Sequence, residues 1–414
     1  MTITNIISAI GNNSSIYPLL VRDCGIEAPS KIIIARKENL KESKEIANDA
    51  TREKIIDEYA TSAIWLGGIP MVESVANKLI SKKGFNPNIN LNLFKEERKT
   101  KQNIYQGIEY NINKFKNIKE KDVQDAIRDL IKVRDNKSSY EKLLTKKFAA
   151  ATVIPTLIMG FVLPKLNFSL TRKIRKQKSN IKQPNQTSIP FTGSFSSQIA
   201  NLRTVDKMAI SDGGLTAGRI STSRNKDEAY ANAFRMIGSM ILNFVTPVYI
   251  AKGLDKLASK LFKINVNLDP KILGDKELIN AIKTNNIELP KSNDAKDLIN
   301  FIDNKPKSLF SKFAQDTGKV AYLKSGYRDP RKFIDTKDLS NFKNEFENFI
   351  KAAKKSKNIE KFAQKAKFIK CANIIANVGI SSFLLAGVLP AVTYKFIKLT
   401  TGSYSDPGLA QKKN

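Results

Sequence analysis

The chain has 414 residues, a formal net charge of +31 and no histidine. It therefore lacks the usual general base at neutral pH, the base of a Ser-His or Cys-His pair, and imidazole metal ligands. Its two cysteines, Cys24 and Cys371, lie far apart and form no zinc or redox motif, so we expect free thiols, no metal, no cofactor and no enzymatic activity.

The positive charge favours polyanionic partners, either nucleic acid or the anionic surface of a membrane. The excess is mostly lysine, and the chain is also rich in isoleucine and asparagine, a combination that is equally typical of an A/T-biased genome. No zinc finger, aromatic sheet motif or basic zipper is present, so the sequence predicts no specific nucleic-acid module.

The first predicted unit, residues 1–168, begins with "MTITNIISAIGNNSS", which has no charged n-region and only a short apolar run. We therefore expect no cleaved signal peptide. In "DCGIEA" (23–28), Asp23 and Gly25 are typical of a turn, because aspartate opens turns and glycine tolerates a positive φ. Together with Arg36 downstream they form a candidate turn, and contact with a ligand is the alternative.

Two uncharged segments lie in this unit, at 59–72 and 148–164. The first contains Pro70, and the second contains Pro155 and Pro164. Runs this short are more often buried core helices than membrane spans when they occur alone. Between the two segments, apolar residues at helical spacing predict polar amphipathic helices.

Residues 169–208 are predicted to link two units. They begin with a basic stretch and continue with "SNIKQPNQTSIPFTGSFSSQ" (179–198), which is rich in Ser, Gln, Asn and Pro and has no helical period. Such a composition is typical of a flexible linker.

The second predicted unit, residues 209–402, opens with "DGGLTAGRI" (212–220), which has the glycine spacing of a phosphate-binding loop. That loop requires lysine and then a hydroxyl residue after its last glycine, whereas Arg219 and Ile220 stand there. We therefore exclude a P-loop. Asp212 and Gly214, followed by Arg224, predict the same kind of turn as in the first unit.

This unit contains the other two uncharged segments, 236–251 with Pro247 and 371–394 with Pro390. The last segment has 24 residues. As a helix it would measure roughly 36 Å, enough to cross a hydrocarbon core of about 30 Å. The polar region 270–350 between the two segments is predicted to be helical, and residues 403–414 form a tail.

Two polar stretches of the second unit need separate interpretation. "SGYRDPRK" (325–332) is predicted to be a surface loop without chemistry. Residues 352–370 form a basic amphipathic helix that is either solvated or lies on an anionic leaflet.

Taken together, the four uncharged segments favour a membrane protein. Lysine and arginine bracket three of them, and Trp65, Tyr249 and Tyr394 lie near segment ends, as interfacial aromatics do. Proline is tolerated in membrane helices, and glycine permits close helix packing. The glycines of these segments are Gly67, Gly68, Gly160, Gly238, Gly379 and Gly387. The alternative is a soluble protein with four buried core helices, which the mean hydropathy of −0.31 favours.

The two units match each other in order. "DCGIEA" corresponds to "DGGLTA", Pro70 to Pro247, and "VLPKLNF" (162–168) to "VLPAVTY" (388–394), with further short matches between them. We therefore predict an all-α protein of two tandem homologous helical units, each with two apolar, membrane-inserted helices and polar amphipathic helices. If all four segments span, both units share one orientation and their polar regions, 84–147 and 253–370, lie on one side.

The leading functional hypothesis is a non-catalytic protein of the cytoplasmic membrane. It would anchor, scaffold or bind a protein partner through its polar helices, with the bilayer and anionic headgroups as further partners. The alternative is a basic peripheral or soluble cytoplasmic protein that binds nucleic acid or anionic lipid headgroups. A transporter or channel ranks lower, because the four uncharged cores offer none of the charges that such paths usually carry.

Overall fold

The computed structural model describes residues 4, 6–8, 20–94, 105–176, 204–264 and 267–410. Throughout these ranges the regular structure is helical and contains no β-strand, so the predicted all-α fold is confirmed. A β-bridge joins Tyr322 to Arg328 in a loop of the second unit.

The helices of the first unit are α1 (π-helix Val21–Glu27 continued by α-helix Ala28–Asn39), α2 (Lys44–Ala63, π turn Ile64–Gly68, Ile69–Lys82), α3 (Ile108–Phe115), α4 (Lys121–Asp135) and α5 (Lys137–Phe148, π turn Ala149–Val153, Ile154–Leu157, π turn Ile158–Val162, Leu163–Lys176). Those of the second are α6 (Thr204–Ser221), α7 (Lys226–Met240, π turn Ile241–Val245, Thr246–Phe262), α8 (Pro270–Leu273), α9 (Lys276–Lys283), α10 (Ala295–Asn304), α11 (Leu309–Asp316), α12 (Thr336–Lys355) and α13 (Ile359–Phe383, π turn Leu384–Val388, Leu389–Thr401).

Proline explains the π segments of the long helices. Proline lacks an N–H, and its ring clashes with the carbonyl four residues earlier in a regular α-helix. In each case the residue before the proline donates its N–H to the carbonyl five positions earlier, which widens the turn and lets the helix continue. The prolines placed in this way are Pro29, Pro70, Pro155, Pro164, Pro247 and Pro390.

Six helices contact one another in a closed cycle, which we call the helix ring. Going round it, α1 packs on α2, α2 on α5, α5 on α6, α6 on α7, α7 on α13, and α13 on α1 again. The first three helices come from the first unit and the last three from the second. This order agrees with the duplication, which remains a prediction.

Three helices of the ring are long and apolar enough to cross a membrane: Lys137–Arg175, Lys226–Phe262 and Ile359–Thr401. They contain the predicted segments 148–164, 236–251 and 371–394. The segment 59–72 in α2 is not among them. Of the four predicted apolar segments, three therefore lie in candidate spans.

A polar domain, formed by residues 85–94, 105–135 and 268–355, adjoins the ring. One of its hydrophobic cores surrounds Leu130 and includes Tyr140 of α5, and the other surrounds Phe310 and Phe346. The two cores are joined by the side chain of Gln106, which donates to the carbonyl of Ile334 and accepts from its N–H, both at 2.8 Å. The polar regions of the two units thus pack against each other.

The loop 325–332 ties these cores together and is not the surface loop that the sequence predicts. Arg328 is fully buried, and its guanidinium forms an ion pair of 2.7 Å with Asp303 and donates to Asn111 at 3.0 Å. These contacts compensate the buried charge, so a structural role at the junction of the two cores accounts for this arginine.

Two predicted boundaries also need correction. The linker 169–208 begins too early, because α5 continues through Lys176, and it ends too late, because α6 begins at Thr204; residues 177–203 lie outside the described part. In the predicted tail 403–414, residues 403–410 are part of the fold, and residues 411–414 lie outside the described part. Asp406 accepts hydrogen bonds from Tyr394 Oη at 2.8 Å and Asn39 Nδ2 at 3.0 Å, and Leu409 is buried.

Candidate functional site

A cavity of about 190 Å³ lies inside the helix ring, between α1, α2, α6, α7 and α13. Its walls carry five carboxylates and five cationic side chains: Asp23, Glu27, Asp57, Glu58, Asp212, Arg22, Lys31, Lys54, Arg219 and Arg235. These charges cancel in number, although the chain as a whole carries +31. The cavity is therefore a distinct electrostatic environment within a basic protein.

Helix α2 supplies one wall through acidic residues at four-residue spacing, which places them on one face. Asp57 accepts two hydrogen bonds from Arg219, at 2.6 and 2.7 Å. One turn earlier, Glu53 accepts two from Arg224, at 2.9 and 3.0 Å. Bidentate pairs of this kind hold two chains in a fixed register, so they join α2 of the first unit to α6 and its following loop in the second.

Helix α1 contributes charges of both signs, which form a chain of shared contacts with α2. Lys31 lies 3.3 Å from Glu27 and 3.2 Å from Glu58, and Lys54 reaches the other oxygen of Glu58 at 2.8 Å. Arg22 pairs with Asp23 at 2.9 Å and lies 3.3 Å from Glu27. Every one of these carboxylates thus has a cation beside it.

Asp212 differs from the other carboxylates of the cavity. No cationic side chain of the described residues lies within ion-pair distance of it, and α6 places it inside the ring. Burial without a neighbouring cation raises the pKa of Asp212, which lies outside the three candidate spans. It is the carboxylate whose charge the cavity leaves uncompensated.

The register of the helices defines two ends of the cavity. Since Arg219 meets Asp57 and Arg224 meets Glu53, α6 runs antiparallel to α2, and Asp212 lies two turns from Arg219, near the level of Trp65. We call this the inner end. Arg219, Lys54 and Arg235 form the outer end, which is nearest to residues 403–410, and there Arg235 lies 3.5 Å from Asp406.

A second cavity of about 80 Å³ continues beyond the outer end. Lys54, Asp57, Arg219 and Arg235 line both cavities. The ion pair between Arg219 and Asp57 therefore lies in the partition between two polar spaces along the ring.

The structure contradicts both predicted turns. Asp23 and Gly25 lie in the π-helical start of α1, and Asp212 and Gly214 lie within α6. Neither glycine has a positive φ. Glycine is required in α6 for another reason: a Cβ on Gly214 would approach Thr156 Cγ2 of α5 to 2.9 Å, so the residue permits close helix packing.

The structure nevertheless brings together two of the residues that the sequence paired. Asp23 and Asp212 line the same cavity, one from each unit. The downstream arginines do not share a role, since Arg36 bonds to Asn48 at the surface and Arg224 binds Glu53 in the second cavity. Of the four prolines singled out as membrane-helix prolines, Pro390 lines the first cavity and Pro164 the second, while Pro70 and Pro247 line neither.

Sequence reasoning missed the cavity because it searched the uncharged segments for functional charges. Most of the charges come instead from α1, from the part of α2 before residue 59 and from α6, and Arg235 of α7 lies just before the segment 236–251. A usable signal was present in the spacing of Asp49, Glu53 and Asp57, a row of acids in a strongly basic chain. Trp65 and Tyr394 also line the cavity, although their positions in the sequence suggested the membrane interface.

Comparisons with protein-family models, with curated proteins and with solved structures give no match in any of the three cases. The function must therefore be argued from the geometry of this chain alone.

Proposed function

We propose that the chain is a non-catalytic integral membrane protein that anchors its polar domain at one face of the bilayer, where the domain binds a partner. The observation that carries this proposal is the exposed apolar surface of the long helices. In α7, none of the residues in the most apolar stretch of 18 is buried within the protein. A monomeric soluble protein rarely leaves so continuous an apolar surface in water.

The same exposure occurs on the neighbouring helices of the ring. Large apolar side chains point outward from α2, α5, α7 and α13, among them Met71, Ile154, Leu166, Ile241, Val248 and Phe383. By contrast, Asp57 and Glu58 of α2 and Arg235 of α7 line the cavity inside the ring. This distribution of apolar outside and polar inside suits a lipid environment.

Cell fractionation tests the proposal directly. Membranes from cells that express the tagged chain are washed first in high salt and then at alkaline pH. We expect the protein to stay in the pellet through both washes and to be released by detergent. Release by salt alone would contradict insertion and favour the alternative, a basic peripheral protein held by anionic headgroups or nucleic acid.

A second candidate function is passage of a small solute through the ring, and one observation favours it. The two charged cavities lie in succession and share the wall that contains the Arg219–Asp57 pair. Solute flux into liposomes that contain the purified protein tests this candidate, and a flux equal to that of empty liposomes across a broad solute panel would count against it.

A further inference from the structure

The inner end of the cavity has an excess of unsatisfied negative charge. Asp212 lacks a cationic partner among the described residues, and Asp23 lies in the same wall region with Arg22 beside it. Asp212 is half-buried, and a carboxylate that is partly removed from water without a cation is stabilised when a bound molecule supplies a cation and hydrogen-bond donors.

Glu27 provides a second, independent sign of a missing donor. Its side chain is 9% exposed and lines the cavity, yet the Oε1 atom accepts no hydrogen bond in the structure. Arg22 Nε lies 3.3 Å from this oxygen and contributes charge without a well-aligned bond. Buried polar oxygens are nearly always satisfied, so the site lacks a donor that a bound molecule could supply.

The cavity is also lined by apolar side chains, and these include the chain's single tryptophan. Trp65, Leu215 and Met240 line the same cavity as Asp212 and Glu27. An aromatic face attracts cations, and flexible methionine adapts to carbon chains. A volume of about 190 Å³ admits a small organic molecule.

We propose that the inner end of the cavity binds a small organic compound that carries a primary ammonium group. The ammonium pairs with Asp212 and donates to Glu27 Oε1, and its three N–H groups allow both contacts at once. The carbon chain packs on Trp65 and Met240. This inference concerns binding and does not depend on insertion into a bilayer or on transport.

The outer end is expected to bind a ligand that carries a carboxylate as well as an ammonium group more tightly than a simple amine. Arg219 Nε is buried and has no hydrogen-bond partner, and Lys54 and Arg235 lie in the same wall. A ligand with a carboxylate at its far end would therefore find cations there, whereas a simple amine would not use them.

Trp65 makes the binding measurable in the full-length protein purified in detergent, because no other tryptophan contributes to the emission. The protein is titrated with n-butylamine hydrochloride, 4-aminobutanoate, sodium butanoate and sodium chloride at matched ionic strength. We expect the fluorescence of Trp65 to change saturably with the two ammonium compounds and not to change with butanoate or salt. Tighter binding of 4-aminobutanoate than of n-butylamine would show that the carboxylate of the ligand lies at the outer end.

Substitutions locate the site. Asp212→Asn keeps the side chain's shape and removes its charge, and we expect the affinity for n-butylamine to fall by at least about tenfold. Glu27→Gln is a second variant that remains informative if the first does not fold. Asp227→Asn, at an exposed position in the first turn of α7, is the matched control and should bind as the unmodified protein does.

Three results would overturn the proposal: no saturable response of Trp65 to either ammonium compound, binding of butanoate in preference to them, or unchanged affinity in both Asp212→Asn and Glu27→Gln. Each of these is distinguishable from failure of the membrane proposal, since fractionation reports insertion and the titration reports binding in detergent.

Discussion

Arg224 shows how much of the ring depends on single charged side chains. Its guanidinium pairs with Glu53 of α2 and Glu228 of α7, and it lies 4.1 Å from the ring centroid of Phe168 in α5. One side chain therefore connects three helices and both units. Its partners are largely removed from water, so the loss of the cation leaves two carboxylates uncompensated.

We expect Arg224→Gln to lower the free energy of unfolding by about 2 kcal/mol, because breaking one member of a mostly buried pair leaves the other members unpaired. Thermal unfolding in detergent measures the effect. The matched control is Arg128→Gln: the Arg128 side chain is 77% exposed and pairs with Asp125, so its loss should change the stability by less than about 1 kcal/mol. Equal effects of the two substitutions would refute this account of Arg224.

Helices α5 and α6 contact each other closely where Gly160 of α5 lies against Gly218 of α6. A Cβ on Gly218 would lie 2.8 Å from the backbone of Gly160, whereas a Cβ on Gly213 meets nothing within 4 Å. Both positions belong to the same helix. A comparison of Gly218 with Gly213 therefore distinguishes the effect of close packing from the effect of helix propensity in α6.

We expect Gly218→Ala to destabilise the protein by about 1–3 kcal/mol, since the backbones would have to move apart. Gly213→Ala should be neutral or stabilising by up to about 1 kcal/mol, because alanine is the better helix former. Thermal unfolding of the two variants side by side is the measurement. A loss of stability at Gly213 as large as that at Gly218 would show that the packing argument is wrong.

These glycines also show what the sequence could not predict about α6. Glycine beside aspartate predicts a turn when the local chain is considered alone. In the folded protein Gly160 and Gly218 lie in different units, and only the three-dimensional contact reveals that glycine serves a close approach. The suggestion that glycine permits helix packing was sound for Gly160 and Gly238, which approach α6 and Leu389, but Gly67 and Gly379 face open space.

Helix α7 offers a test of its surroundings that the exposed fraction alone cannot provide. Ile241 is 52% exposed in the middle of the apolar segment, and Tyr230 is 64% exposed nearer the start of the same helix. In water, arginine at either exposed position would cost little. In a bilayer, arginine near the centre of a span costs about 2.5–3.5 kcal/mol, while a position outside the hydrocarbon tolerates it.

Ile241→Arg is therefore expected to reduce the amount of protein that resists alkaline extraction from membranes, and Tyr230→Arg is expected to leave it close to that of the unmodified protein. Quantitative immunoblotting of the washed pellets gives the ratio. If both variants behave like the unmodified protein, α7 faces water and the insertion proposal fails.

The sequence predicts several helices of the ring but not the charged cavity that they enclose. Helical periodicity and uncharged runs identify α5, α7 and α13, because these properties belong to one segment at a time. The cavity depends on pairs such as Arg219 with Asp57, which lie 162 positions apart in the chain. No local pattern encodes which acid meets which arginine, so the absence of charge in the apolar segments was a poor argument against a polar interior.

The same long-range pairs predict how the two units behave when they are separated. Within the ring, α5 packs on α6 and α13 packs on α1, so each unit completes its packing only against the other. Three kinds of contact join the two units. Gly160 approaches Gly218, Glu53 pairs with Arg224, and Asp406 accepts hydrogen bonds from both Tyr394 and Asn39.

A chain cut after residue 190, outside the described ranges, tests this dependence. We expect residues 1–190 and 191–414, expressed together with a tag on one piece, to copurify in detergent, because buried contacts rather than the connection hold them together. The Arg224→Gln variant of the second piece should reduce recovery of the first, and Arg128→Gln in the first piece should not. Purification of either piece without the other, in good yield and as a monomer, would mean that each unit folds alone and that the helix ring is an assembly of two independent domains.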